Sequence, residues 1–115
     1  MFKIRSIVED YETQLRVVDI TLAGASAKGK SEWERYGNGE TEFSVRIRNV
    51  DLGDDAMLNV YLDKQYVGQI KISNRKGTLR IESKSYNTVP SVTEGMLLTI
   101  LLGTSQLFEG TFIKD

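Results

Sequence analysis

A chain of 115 residues is long enough to bury one hydrophobic core without disulfide staples and too short for two, so a single domain over residues 1–115 is expected. Lys and Arg number 15 against 16 Asp and Glu, a net charge of -1, so no global field draws the chain to nucleic acid, an unlikely partner on this ground. With no Cys and no His, the chain lacks disulfides, thiolate nucleophiles, the usual general base and the nitrogen and sulfur metal ligands. Most enzyme classes drop out, and neither a cofactor nor a metal site is expected. No apolar run reaches the roughly 18 to 20 residues of a membrane span, and the start, Met1 to Ser6, lacks the apolar middle of a signal peptide. The expectation is a soluble chain with no membrane partner, placed in the cytoplasm.

Ile4, Ile7, Val8, Tyr11, Leu15 and Val18 fall at helical spacing, with Arg5, Glu9, Glu12 and Arg16 on the other side. The β-branched content and the alternation in Phe2–Ile4 and Val18-Ile20-Leu22 fit strands equally, so helix and strand both stay open for residues 4–18. Either way the apolar stripe is too large to leave in water, which makes residues 2–16 necessary for stability or assembly. Residues 23–30 read as a connection.

Ser31, Trp33 and Arg35, then Phe43, Val45 and Ile47 beyond Gly37-Asn38-Gly39, predict a hairpin folded about Asn38. That register sets Trp33 opposite Phe43 and Ser31 opposite Val45 on one face, so Trp33 belongs to the core. Glu32, Glu34 and Glu42 then stand on the outward face, and a glycosidase could use two such carboxylates. An open strand face has no cleft to raise one pKa, so a solvated surface is the expectation. Asp51, Asp54 and Asp55 lack the spacing of a calcium loop and read as a turn.

Residues 58–83 predict three consecutive antiparallel strands. Placing Leu58, Val60 and Leu62 on the same face as Tyr66, Gly68, Ile70 and Ile72 pairs Leu62 with Tyr66, Val60 with Gly68 and Leu58 with Ile70 about the loop Asp63-Lys64-Gln65. A type I turn at Asn74-Arg75-Lys76-Gly77 then pairs Ile72 with Leu79 and Ile70 with Ile81, which makes Lys71 and Arg80 direct outward opposites. Pro90 marks a connection or a sheet edge. A last hairpin pairs Leu98, Ile100 and Leu102 with Phe112, Gly110 and Phe108 about a five-residue loop, 103–107. In this register Gly68 and Gly110 are equivalent core-facing spacers.

About seven to eight short strands with regular turns predict an all-β fold. The reading is a single antiparallel β-sandwich, jelly-roll or immunoglobulin-like, preferred over a small barrel. The expected function is a non-catalytic binding or assembly module acting through a sheet face or an edge strand near Pro90, with a protein partner or a second copy of the chain. The candidate ligand-binding face comprises Asn59, Tyr61, Gln69, Lys71 and Arg80, where two opposed cations and an outward Tyr would meet an anionic or polar partner. A carbohydrate-binding domain using Tyr61, Tyr36 and Tyr86 is the alternative, and a run of coplanar exposed rings would favour it.

Overall fold

Period-two alternation fills this chain, and strands are its consequence almost throughout. The computed structural model describes residues 6–85 and 87–115, and its regular structure is nearly all antiparallel β. The strands are β1 (Ile7–Val17), β2 (Lys28–Tyr36), β3 (Thr41–Arg48), β4 (Met57–Leu62), β5 (Gln65–Lys71), β6 (Gly77–Glu82), β7 (Leu97–Leu102), β8 (Ser105–Thr111) and β9 (Ile113–Lys114). A single helical turn, α1 (Ile20–Ala23), follows β1, capped by the Asp19 carboxylate accepting from the Leu22 N–H at 3.0 Å. All strands join one sheet in the order β5-β4-β7-β8-β1-β2-β3-β6, with β9 added on β1. The two end strands, β5 and β6, touch, but no ladder joins them among the described residues, so the sheet is nearly closed and barrel-like.

The helical reading of residues 4–18 is overturned over Ile7–Val17, which form β1. Tyr11, Thr13 and Leu15 point inward at alternate positions, whereas Ile7 and Val8 are each 51% exposed, so the buried set has period two. Tertiary pairing decides the ambiguity, because β1 is held on both sides. It pairs with β2 through Tyr11↔Trp33 and Thr13↔Ser31, then with β8 through Arg16↔Glu109 and Val17↔Phe108. Ile4 lies outside the described residues.

The β2–β3 hairpin has the expected register, with Trp33 opposite Phe43 and Ser31 opposite Val45. Trp33 is buried, 5.8 Å from the Tyr11 ring, and the Ser31 hydroxyl donates to the Ser44 carbonyl at 2.8 Å.

The next three segments depart from expectation. β4 and β5 keep Leu58↔Ile70 and Val60↔Gly68, but the loop is Asp63-Lys64, with φ of 44° and 73°, a type I′ turn. Val67 is the extra residue of a bulge, so Tyr61 faces Tyr66 and Tyr66 stands 52% exposed instead of in the core. After β5 a second type I′ turn, at Asn74 and Arg75 with φ of 53° and 64°, replaces the expected type I turn. Beyond it the chain forms no ladder with β5 among the described residues. β6 pairs with β3 through Val45↔Leu79, Phe43↔Ile81 and Ser44↔Arg80, so Lys71 and Arg80 are not opposite each other. The turn is tied instead to the end of β3: the Val50 N–H donates to the Arg75 carbonyl at 2.9 Å, and β6 then follows β3 from Ile47↔Gly77. Gly77 permits the crossing, since a Cβ there would collide with Ile70 Cγ2 and sit 3.0 Å from the Lys71 carbonyl oxygen.

β7 and β8 repeat the bulged design. Leu98 faces Gly110 and Ile100 faces Phe108 about a two-residue turn, Gly103-Thr104, and Leu107 is the bulge residue. The five-residue loop is therefore also corrected. Leu107 and Phe108 are both fully buried, because a bulge turns two successive side chains to one face.

Residues 51–72 and 91–112 consequently form a structural repeat in which Leu58 corresponds to Leu98 and Ile72 to Phe112. The Asp55 N–H donates to the Ile72 carbonyl as the Gly95 N–H does to that of Phe112, at 2.8 and 2.9 Å. The register between β4 and β7 respects this correspondence: Val60 faces Ile100, and the flanking pairs Asn59↔Leu101 and Tyr61↔Thr99 exchange places. A local two-fold thus passes between Val60 and Ile100. Under it Gly68 corresponds to Phe108, not to Gly110. Both glycines remain spacers, but for different neighbours. A Cβ on Gly68 would lie 2.9 Å from Leu79 Cδ2, and one on Gly110 would collide with Thr13 Oγ1.

Candidate functional site

Two concave surfaces lie on the solvent side of the sheet, and the expected site residues divide between the two halves. On the β5-β4-β7 half, Asn59 and Gln69 are cross-strand partners, and the Gln69 Nε2 donates to Asn59 Oδ1 at 3.0 Å. Tyr61 lies beside them, its ring 5.7 Å from that of Tyr66 at an interplanar angle of 70°. Lys71 is on the same half, 3.3 Å from an Asp55 carboxylate oxygen. Arg80 is not. It stands on β6 with Glu82 at 2.7 Å and Glu42 at 3.4 Å, so it is a paired cation and not half of a repulsive couple.

Tyr61 opens onto a groove of about 520 Å³ that it lines with Asp63, Lys64, Leu97, Thr99 and Leu101. Its walls are outward side chains of β4 and β7 and the type I′ turn between β4 and β5. The Asp63 carboxylate accepts from the Leu97 N–H at 2.9 Å, which fixes the turn against the start of β7. Leu97 is exposed, and Met57 and Tyr66, also exposed, stand on β4 and β5 beside it in the same sheet.

The rings expected for a carbohydrate site do not assemble into a flat row. Tyr36 is buried, with its hydroxyl 3.3 Å from a Glu34 oxygen and 3.4 Å from a Glu42 oxygen, and Tyr61 and Tyr66 meet edge to face. Tyr86 lies outside the described residues. The edge near Pro90 is a connection, since residues 87–96 carry no strand.

On the β1-β2-β3-β6 half, outward residues fall into rows that cross all four strands. One row is Gln14, Lys30, Arg46 and Thr78, and another is Asp10, Glu34, Glu42 and Glu82. Burial first, then the charge of Glu34, a hydrogen bond with Asp115 and the charges of Asp115 and Glu32 raise the Asp10 carboxyl from 3.8 to about 6. Beyond the basic row Lys28 faces Arg48. The sequence reading overlooked these cations, although the hairpin register it proposed about Asn38 already sets Lys28 against Arg48 and Lys30 against Arg46. That register was the available signal.

Among the described residues no three acidic side chains are arranged to hold a metal ion, and no helix is long and apolar enough to cross a membrane. Neither a family model nor a curated protein matches the chain.

Proposed function

We propose that this protein is a non-catalytic binding and assembly module whose contact surface is the outer face of β4 and β7, covered by a second copy of the chain. In this reading the two halves of the sheet act as the layers of a sandwich, and the β4–β7 layer offers its outer face. A single observation carries it: the groove beside Tyr61 is walled by Leu97 and Leu101 on the side of a sheet that normally carries polar residues. Leu97 is 38% exposed and Met57 40%, and covering side chains of this kind contributes roughly 25 cal/mol per Å² of apolar surface removed from water.

Light scattering across a concentration range tests the reading. The parent should reach the mass of a dimer or larger assembly, and Leu97→Glu should return the monomer mass while keeping the parent's β-type circular dichroism spectrum, with a melting temperature that no longer rises with protein concentration. A parent that stays monomeric at every concentration would remove the assembly role.

A further inference from the structure

The charges on the outer face of β2, β3 and β6 sort by position along the strands. At one end Lys28 faces Arg48 and Lys30 faces Arg46, with Thr78 beside Arg46 and Lys76 just ahead of β6. Together with Gln14 of β1 these residues line an open groove of about 420 Å³. Lys30 is held by Glu32 at 3.0 Å and Glu12 at 3.7 Å. Lys28, Arg46, Arg48 and Lys76 have no carboxylate within ion-pair distance among the described residues. At the acidic end the balance differs, because Arg80 bridges Glu42 and Glu82, and Lys84 lies 3.1 Å from Glu82. Like charges placed directly opposite each other destabilise a bare ladder, and here two such pairs are stacked in succession with only Lys30 compensated.

We propose that this groove docks an extended acidic peptide segment of a partner protein, with carboxylates at alternate positions. Residues i and i+2 of a strand are about 6.6 Å apart on one face, so Lys28 with Lys30, and Arg46 with Arg48, form two columns of cations at that repeat. An extended peptide lying along the strands presents its alternate side chains at the same repeat, which brings each carboxylate between a Lys of β2 and an Arg of β3. The guanidinium groups of Arg46 and Arg48 suit carboxylates through paired N–H donors, and Gln14 and Thr78 at the flanks can serve the peptide backbone. The lining includes no aromatic ring on which a base could stack, which disfavours single-stranded nucleic acid. A groove, unlike a flat apolar-fringed surface, also fits a chain better than a bilayer. The site uses different strands from the groove beside Tyr61, so either can fail without the other.

The test is fluorescence anisotropy of a labelled peptide of alternating glutamate and serine, titrated with the full chain at low ionic strength. Saturable binding that weakens steadily with added salt is expected. Arg46→Glu and Arg48→Glu should each weaken it by about tenfold or more, while Lys71→Glu, the same charge change on β5, should leave it within about twofold. Arg48→Glu should also hold or raise the melting temperature, because it turns the repulsion with Lys28 into attraction. Absence of saturable binding would overturn the proposal, as would equal loss in Lys71→Glu, which would mean that only net charge matters. Tighter binding of duplex DNA or of phosphatidylserine vesicles than of the peptide, with the same sensitivity to Arg46→Glu, would overturn the choice of a peptide.

Discussion

Single residues report the electrostatic character of the outer face most directly, and Asp10 is the clearest. Its folded pKa of about 6 stands above the ordinary 3.8, so between those values the folded chain holds a proton that the unfolded chain has released. Stability therefore falls as pH rises through this window, and the favourable contribution is fully present only below 3.8. Asp10→Asn removes the titration while keeping the shape, and thermal melts across the window should show the parent losing stability relative to the variant as pH increases. Parallel curves for the two proteins would mean that water reaches the carboxyl and relieves it. The same row decides what reversing the charge of Arg80 would do. It would leave Glu42 and Glu82 without their shared cation, whereas directly opposite Lys71, where the sequence-based register put Arg80, the reversal would have turned a repulsive pair into an attractive one.

At the scale of elements, the sequence was legible wherever strict alternation continued through both strands of a hairpin. Trp33 against Phe43 follows from parity alone, and so does the inward face of β4. Parity fails at Val67 and Leu107, because a bulge changes the count by one and a two-residue turn changes it back. Demanding a three- or five-residue loop kept the faces right beyond the bulges while displacing Tyr66 and shifting the last hairpin by two residues. The departure of β6 to β3 was not legible at all, since Leu79 and Ile81 would be inward beside either neighbour. The candidate site followed the register: Asn59, Tyr61 and Gln69 share a face because β4 and β5 pair nearly as expected, and Arg80 left with β6. Turn chemistry at Asp63-Lys64 gives a direct check. Lys64 holds a φ of 73° that costs a side-chain-bearing residue, so Lys64→Gly should stabilise the chain by about 0.5 to 1 kcal/mol in a urea melt. Asp63→Ala should instead cost about 1 to 2 kcal/mol, because it strips the acceptor from the Leu97 N–H. A stabilising Asp63→Ala would show that the Asp63 carboxylate does not anchor β7, leaving that role to the Asp63 N–H, which donates to the Leu97 carbonyl at 2.9 Å.

For the whole molecule, the decisive place is the seam where β5 and β6 meet without a ladder. Closure there depends on side chains, and one contact across it is Leu79 against Gly68, where an added Cβ would come within 2.9 Å of Leu79 Cδ2. If the sheet closes by this fit, the two positions must be energetically coupled. Leu79→Ala leaves a space and should cost about 1 to 3 kcal/mol, less than a fully buried leucine because Leu79 is half-buried. Gly68→Ala should destabilise by overpacking and by whatever the backbone of Gly68 imposes on an L side chain. In the double variant the new methyl group occupies part of the space that Leu79 vacated, so the steric part of the Gly68 penalty disappears while the backbone part remains. A double-mutant cycle from chemical denaturation isolates the steric part, since the backbone part is common to both backgrounds and cancels. The double variant should be more stable than the sum of the single effects by at least about 0.5 kcal/mol. Strict additivity would mean that the two strands do not press on each other at this point, and that the barrel-like closure is held nearer the turn, where Gly77 packs on Ile70.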